Sequence, residues 1–184
     1  MNLIKDARLR DKKVSPRHKL LHQGQLISLY RDEVHLPDGR TTHYDTVRHP
    51  GGAVIVAVNS NREICLLRQF RHAVNGDIWE LPAGCLEDDE KPIETAKREL
   101  LEETGWSAHS WKSLGNIIPS PGFCNEVLWM YKAEDLEIGK TAKDNDEFLE
   151  SYWLPMNKIH QMIRDGEIRD AKTLAAITLL NFKL

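Results

Sequence analysis

The sequence predicts an α/β fold: a mixed β-sheet core sandwiched between helices, with a small N-terminal antiparallel β subdomain. Three observations predict it. Residues 53–58 (AVIVAV) form a continuous apolar run, as expected of a strand buried on both faces. Further short apolar or alternating runs follow, punctuated by Gly, Pro and Asn. One central and two late segments have helical spacing. With 184 residues the chain is long enough for one domain with an appendage and a substantial core.

The elements follow in order. Residues 1–17 are charged, lack a clear period and read as a loosely attached leader ending at Ser15-Pro16. Residues 25–35 (QLISLYRDEVH) alternate as a strand. Leu36-Pro37-Asp38-Gly39 is a turn by chemistry: Pro presets φ, Asp bonds locally and Gly accepts positive φ. Residues 40–47 (RTTHYDTV) return as a second strand, completing a hairpin. His49-Pro50-Gly51-Gly52 breaks the chain before the 53–58 strand. Residues 63–70 and 78–81 read as strands. A helix then starts near Asp88 or Asp89, either of which can cap it, with Pro92 at an early position where its missing N–H is harmless. It runs to about Thr104, and Gly105 serves as C-cap. Residues 111–118, 127–133 and 151–154 read as strands. Residues 119–122 (PSPG) form a loop, and the charged stretch 134–147 forms a surface loop. Residues 157–164 and 172–182 are helical, with Ile159, Met162, Ile163, Leu174, Ile177 and Leu180 at core spacing.

Composition narrows the function classes. A net charge of −3 gives no global field to recruit nucleic acid or an anionic membrane. The apolar runs are too short to span a bilayer. The N-terminus lacks the apolar stretch of a secretory signal. The three cysteines, Cys65, Cys85 and Cys124, are isolated, with neither a disulfide framework nor zinc spacing, which favours a cytoplasmic location. His18 and His22 have helical i, i+4 spacing but no third ligand nearby in sequence, and read as solvated surface.

The chemistry concentrates in residues 84–106, GCLEDDEKPIETAKRELLEETGW. On a helix Glu99 and Glu103 share a face, and Glu102 lies beside them. Three like charges repel, and a hard divalent cation, Mg²⁺ or Mn²⁺, would neutralise them through oxygen ligands. Arg98, four residues before Glu102, is placed to hold a carboxylate. Ile93, Ala96 and Leu100 occupy the opposite, core-facing side. A charge run alone would read as a solvated surface helix. The complete pattern, G-x5-E-x7-R-E-L-x-E-E-x-G-W, is too specific for that.

This segment resembles the Nudix box, the signature of the Nudix hydrolase superfamily. All seven fixed residues are present: Gly84, Glu90, Arg98, Glu99, Glu102, Glu103 and Gly105. Trp106 departs from the family's usual aliphatic residue but keeps bulk and apolarity. Arg68-Gln69-Phe70-Arg71, Trp79-Glu80-Leu81-Pro82-Ala83-Gly84 and Ser120-Pro121-Gly122-Phe123 resemble the ADP-ribose pyrophosphatase branch, as does the acidic Asp144-Asn145-Asp146-Glu147.

The resemblance implies a Nudix fold over residues 49–184, preceded by a leader and β-hairpin subdomain, 1–48, placed to form a homodimer. It implies hydrolysis of a nucleoside diphosphate sugar, ADP-ribose or a related ADP-sugar, to AMP and a sugar phosphate. Alternatives are another such sugar, GDP-mannose for example, a broad-range housecleaning hydrolase, or a non-catalytic nucleotide sensor. By the same resemblance Glu99, Glu102, Glu103 and the Ala83 carbonyl bind Mg²⁺ or Mn²⁺. Arg98 works with these acids, and Gly84, Glu90 and Gly105 support the box. Glu147 is the base, with Asp146 and Asp144 as alternatives. Arg71 holds a substrate phosphate, ahead of Arg68, and Glu80 orients an arginine or substrate hydroxyls. Pro121 and Gly122 shape the substrate loop. Tyr30 or Tyr44 is available to stack on adenine, against a simpler role in sheet packing.

Overall fold

A computed structural model describes residues 17–36, 38–139 and 150–183. The leader, Pro37 and the loop acids Asp144, Asp146 and Glu147 lie outside the described residues. The chain divides into two compact units, one of Met1–Pro50 with Ser120–Glu126 and one of Gly51–Pro119 with Val127–Leu184.

In the first unit the expected hairpin is a three-stranded antiparallel sheet in the order β1-β2-β3: β1 His18–Gln23, β2 Ser28–His35 and β3 Thr41–Arg48. The first strand corrects the sequence reading. His18 and His22 lie on a strand and not at helical spacing. HKLLHQ has no buried position to give it a legible period, and pairing with β2 is what makes it a strand. His18 is also more than a solvated residue: its Nδ1 lies 2.8 Å from Oδ1 of the buried Asp32. Asp32 also accepts from Thr46 Oγ1 and Arg48 Nη2, so its buried charge is well partnered. The Ser120–Glu126 loop is stitched to β3 by a 2.7 Å hydrogen bond from Val47 N–H to Phe123 O.

The second unit is built around β4 (Gly52–Ala57), every residue of which is buried. Strand alternation sends its side chains to two cores. Val54 and Val56 join a cluster with Ile159, Met162, Ile177 and Leu180 from the two late helices, α2 (Met156–Arg164) and α3 (Ala171–Lys183). Ala53, Ile55 and Ala57 join a second cluster with Ala96 and Leu100 of the central helix, α1 (Pro92–Thr104). The mixed sheet is therefore sandwiched between helices. Its order is β7-β4-β9-β8, with β7 Ala83–Cys85, β8 Trp106–Ile117 and β9 Leu128–Ile138. β4 and β9 run parallel, and the other pairs are antiparallel. A second sheet, β10-β5-β6, pairs β5 (Glu63–Arg71) with β6 (Gly76–Glu80) and β10 (Glu150–Pro155).

Several boundaries differ from expectation; β8 starts at Trp106 and not at residue 111, and β2 at Ser28 and not at residue 25. Residues 134–138 belong to β9 and not to a loop. The long partner β8 carries the pairing outward, Trp106 opposite Ile138 and Ser107 opposite Glu137, so acids on the solvent face are tolerated. Neither Asp88 nor Asp89 caps α1. The N-cap is Lys91, whose ammonium has no acceptor to offer the first-turn N–H groups, and beside it Glu90 accepts the Thr95 hydroxyl at 2.8 Å. Gly105 closes α1 as expected, at φ 78° with its N–H on Leu101 O.

Leu100 is the buried underside of α1, so Leu100→Ala is expected to lower unfolding free energy by about 2–5 kcal/mol. Urea denaturation followed by far-UV circular dichroism measures this. A change below about 0.5 kcal/mol would mean that α1 does not depend on this contact.

Candidate active site

The site is built where β7 feeds the loop into α1. β7 lies antiparallel on β4, with Ala53 opposite Gly84, which fixes the loop backbone against the helix. Glu99 projects from α1 onto Gly84. A Cβ at Gly84 would fall far inside contact distance of the Glu99 carboxylate, so only glycine leaves that seat open. One turn on, Glu103 Oε2 accepts the Ala83 N–H at 2.8 Å. Both acids are thus seated by the β7 backbone.

Arg98 is the hub of the cluster. Its Nε and Nη2 reach Glu90 at 3.1 and 3.0 Å, and Nη1 reaches Glu99 at 2.6 Å and Glu102 at 3.0 Å. Nη2 also donates to the Cys85 carbonyl at 3.1 Å. One guanidinium therefore holds three acids and the loop together, a task for a planar, permanently charged fork. The hydrogen bond from Arg98 is the main reason the Glu90 carboxyl falls from an ordinary 4.5 to about 2, with Thr95 and the Glu87 N–H adding to it. A depressed folded-state pKa contributes stability that is present above pH 4.5 and lost as pH falls toward 2. Glu90→Gln should therefore flatten the loss of unfolding free energy across this window, measured by urea titration at acidic and neutral pH. An unchanged slope would show that Glu90 does not carry it.

The expected metal ligands can be tested against this geometry. Among the described residues, no three His, Cys, Asp or Glu side chains stand gathered as a ready metal site. Here Glu99 and Glu102 are arranged around Arg98, and Glu103 is held by the Ala83 N–H. In donor chemistry they fit a hard cation, since each offers carboxylate oxygen. The seat at Gly84, which a Cβ would fill, brings one of them against the Ala83–Gly84 backbone.

A second polar group lies at the end of β6. Glu80, 4% exposed, receives Arg71 through Nε at 2.9 Å and Nη2 at 2.6 Å on one oxygen. Lys172 Nζ meets its other oxygen at 2.8 Å. Glu80 thus holds the Arg71 guanidinium by two hydrogen bonds. Arg68 is directed elsewhere, to Asp77 at 3.4 Å. Lys172 was missed by sequence reasoning, because it lies 92 residues from Glu80 in a helix with no motif to mark it.

Pro121 and Gly122 lie in the first unit, in an exposed turn closed by Cys124 N–H on Ser120 O at 2.9 Å. A Cβ on Gly122 would meet nothing within 4 Å, so packing within the loop does not explain its glycine. The Tyr30 ring carries Arg48 at 5.4 Å, whereas Tyr44 is half exposed. Trp106 packs edge-on against Trp153, centroids 5.7 Å apart.

A mixed sheet between helices, with a glycine loop feeding an acid-bearing helix held by one arginine, defines a class of hydrolase. A NUDIX domain model matches residues 48–177. The ADP-ribose pyrophosphatase of Bacillus subtilis (strain 168) is 36% identical over 165 residues, 89% of each chain. The methanol dehydrogenase activator of Bacillus methanolicus is 35% identical over 165 residues, again 89% of each. The crystal structure of an ADP compounds hydrolase superposes with a TM-score of 0.81 at 19% identity, covering 94% of each chain, a likeness of fold. The chain belongs to the Nudix family of hydrolases.

Proposed function

We propose that this protein hydrolyses the pyrophosphate bond of ADP-ribose, or a related ADP-sugar, to AMP and a sugar phosphate. The observation that carries the reading is the junction of β7 and α1, where Glu99 sits on Gly84 and Glu103 on the Ala83 N–H. The Bacillus subtilis relative named an ADP-ribose pyrophosphatase supports the choice of substrate. Glu99, Glu102, Glu103 and the Ala83 carbonyl would hold Mg²⁺ or Mn²⁺. When bound, the cation supplies neutralising charge for the pyrophosphate and acidifies water.

The chain's own residues do the rest. Arg98 keeps the acids from recoiling from one another and ties them to the loop at Cys85. Arg71, anchored on Glu80 by two of its nitrogens, keeps Nη1 for a substrate phosphate. Glu147 serves as base, with Asp146 and Asp144 the alternatives. Pro121 and Gly122 shape the substrate loop.

The protein works as a homodimer through its first unit, whose exposed Leu20, Leu21, Leu26, Ile27 and Tyr44 are supporting features. Sedimentation equilibrium should give twice the chain mass, and a monomer would remove this part of the reading. The odd number of cysteines supports a cytoplasmic setting. Among the described residues, no helix is long and apolar enough to cross a membrane.

The test of substrate is kcat/KM for ADP-ribose, other ADP-sugars and GDP-mannose with Mg²⁺. ADP-ribose is expected to lead. Preference for GDP-mannose would replace the ADP-sugar reading.

A further inference from the structure

We propose that Lys172, on the C-terminal helix α3, is a positioning residue that keeps the positive charge of Arg71 available to a substrate phosphate by sharing Glu80. The proposal rests on the reading of Arg71 as the phosphate-holding residue. Four charged groups alternate in a chain: Arg71, Glu80, Lys172 and Asp170. Arg71 takes one Glu80 oxygen, Lys172 takes the other at 2.8 Å, and Lys172 also meets Asp170 at 3.1 Å. Glu80 is buried, and the Lys172 and Asp170 side chains are nearly so. Their charges are therefore screened less than those of surface pairs.

The lysine is held where it is by α3 itself. Asp170 caps the helix, accepting the Thr173 N–H at 3.0 Å and the Thr173 hydroxyl at 2.7 Å. The Thr173 oxygen, fully buried, accepts the Leu81 N–H at 2.9 Å, next to Glu80. The first turn of α3 is thus bolted to the end of β6. This fixed geometry presents a cation to the carboxylate that holds Arg71.

The charge count shows what this does. With Lys172 the four groups sum to zero, and Arg71, 40% exposed at its side chain, is the cation at the open end. Without it the sum is −1, and Arg71 faces two acids alone. Glu80 would also be free to turn both oxygens onto the guanidinium in a full fork, neutralising it further. Glu103 and Asp170 already act on Arg71 electrostatically, so an added negative charge there bears directly on anion binding.

The test is steady-state kinetics with ADP-ribose and Mg²⁺ on Lys172→Met, Lys172→Gln and Lys172→Arg, each alone and with Arg71→Ala. Circular dichroism checks folding. Lys172→Met and Lys172→Gln are expected to raise KM about tenfold with kcat within about threefold, the scale of one charge-assisted hydrogen bond. Lys172→Arg should restore KM to within about twofold of the parent. In the Arg71→Ala background, loss of the lysine charge should add little further. Gln keeps a donor to Glu80 without the charge, so a parental KM for Lys172→Gln would show that Lys172 is only a structural bolt and would overturn the proposal. An equal rise in KM with and without Arg71 would also overturn it. If Arg71→Ala itself left KM unchanged, the phosphate reading of Arg71 would fall instead.

Discussion

Glu103→Gln is expected to lose activity by about 10²-fold or more in kcat while remaining folded. Removing a group that merely supports a metal ligand typically costs 10- to 100-fold, so loss of a ligand's own charge belongs at or beyond the top of that range. The amide keeps an oxygen to accept the Ala83 N–H, by which Glu103 is seated on β7, so the helix should stay in place. Thermal unfolding measured with the kinetics separates the two effects. Full activity in a folded Glu103→Gln would refute the assignment of Glu103.

Gly84→Ala should come next in size. The added Cβ would strike the end of a flexible Glu99 side chain and not the backbone, so the fold can absorb it by turning the carboxylate away. Gly84 is also not among the glycines at positive φ, so the backbone itself tolerates alanine. Stability should change by less than about 1 kcal/mol while activity falls by about 10- to 100-fold, with more Mg²⁺ required for half-maximal rate. A metal titration of initial rates measures this. An unaltered Mg²⁺ requirement would show that the seat of Glu99 against Gly84 has no part in metal binding.

These expectations separate what was local in the sequence from what was not. The acid cluster was legible because Gly84, Glu90, Arg98, Glu99, Glu102 and Glu103 fall within one short stretch ending in a helix, whose period alone predicts a shared face for its acids. β4 was legible because burial on both sides leaves an unbroken apolar run. β1 was not legible, since its residues are exposed throughout and only tertiary pairing makes it a strand. The outer half of β9 was hidden for a related reason: its acids read as loop until the length of β8 imposed pairing. Lys172 was invisible because its partner is contributed by a distant strand. The pairing of Arg71 with Glu80 was half legible: both residues were named, but in register Arg71 stands opposite Gly76 and Glu80 opposite Leu67, so strand pairing does not announce their bond. The cap was misread because the helix starts only at Pro92, which puts the N-cap at Lys91, a residue type without an acceptor, and leaves Asp88 and Asp89 too far upstream.

The measurement that bears most directly on the central claim is the release of AMP from ADP-ribose with and without divalent cation. The account predicts AMP and ribose 5-phosphate in equal amounts with Mg²⁺, and activity abolished by chelator and restored by Mg²⁺ or Mn²⁺. Tight binding of ADP-ribose with no turnover of it or any other nucleoside diphosphate sugar, under either cation, would contradict the account and leave a binding protein on a Nudix fold.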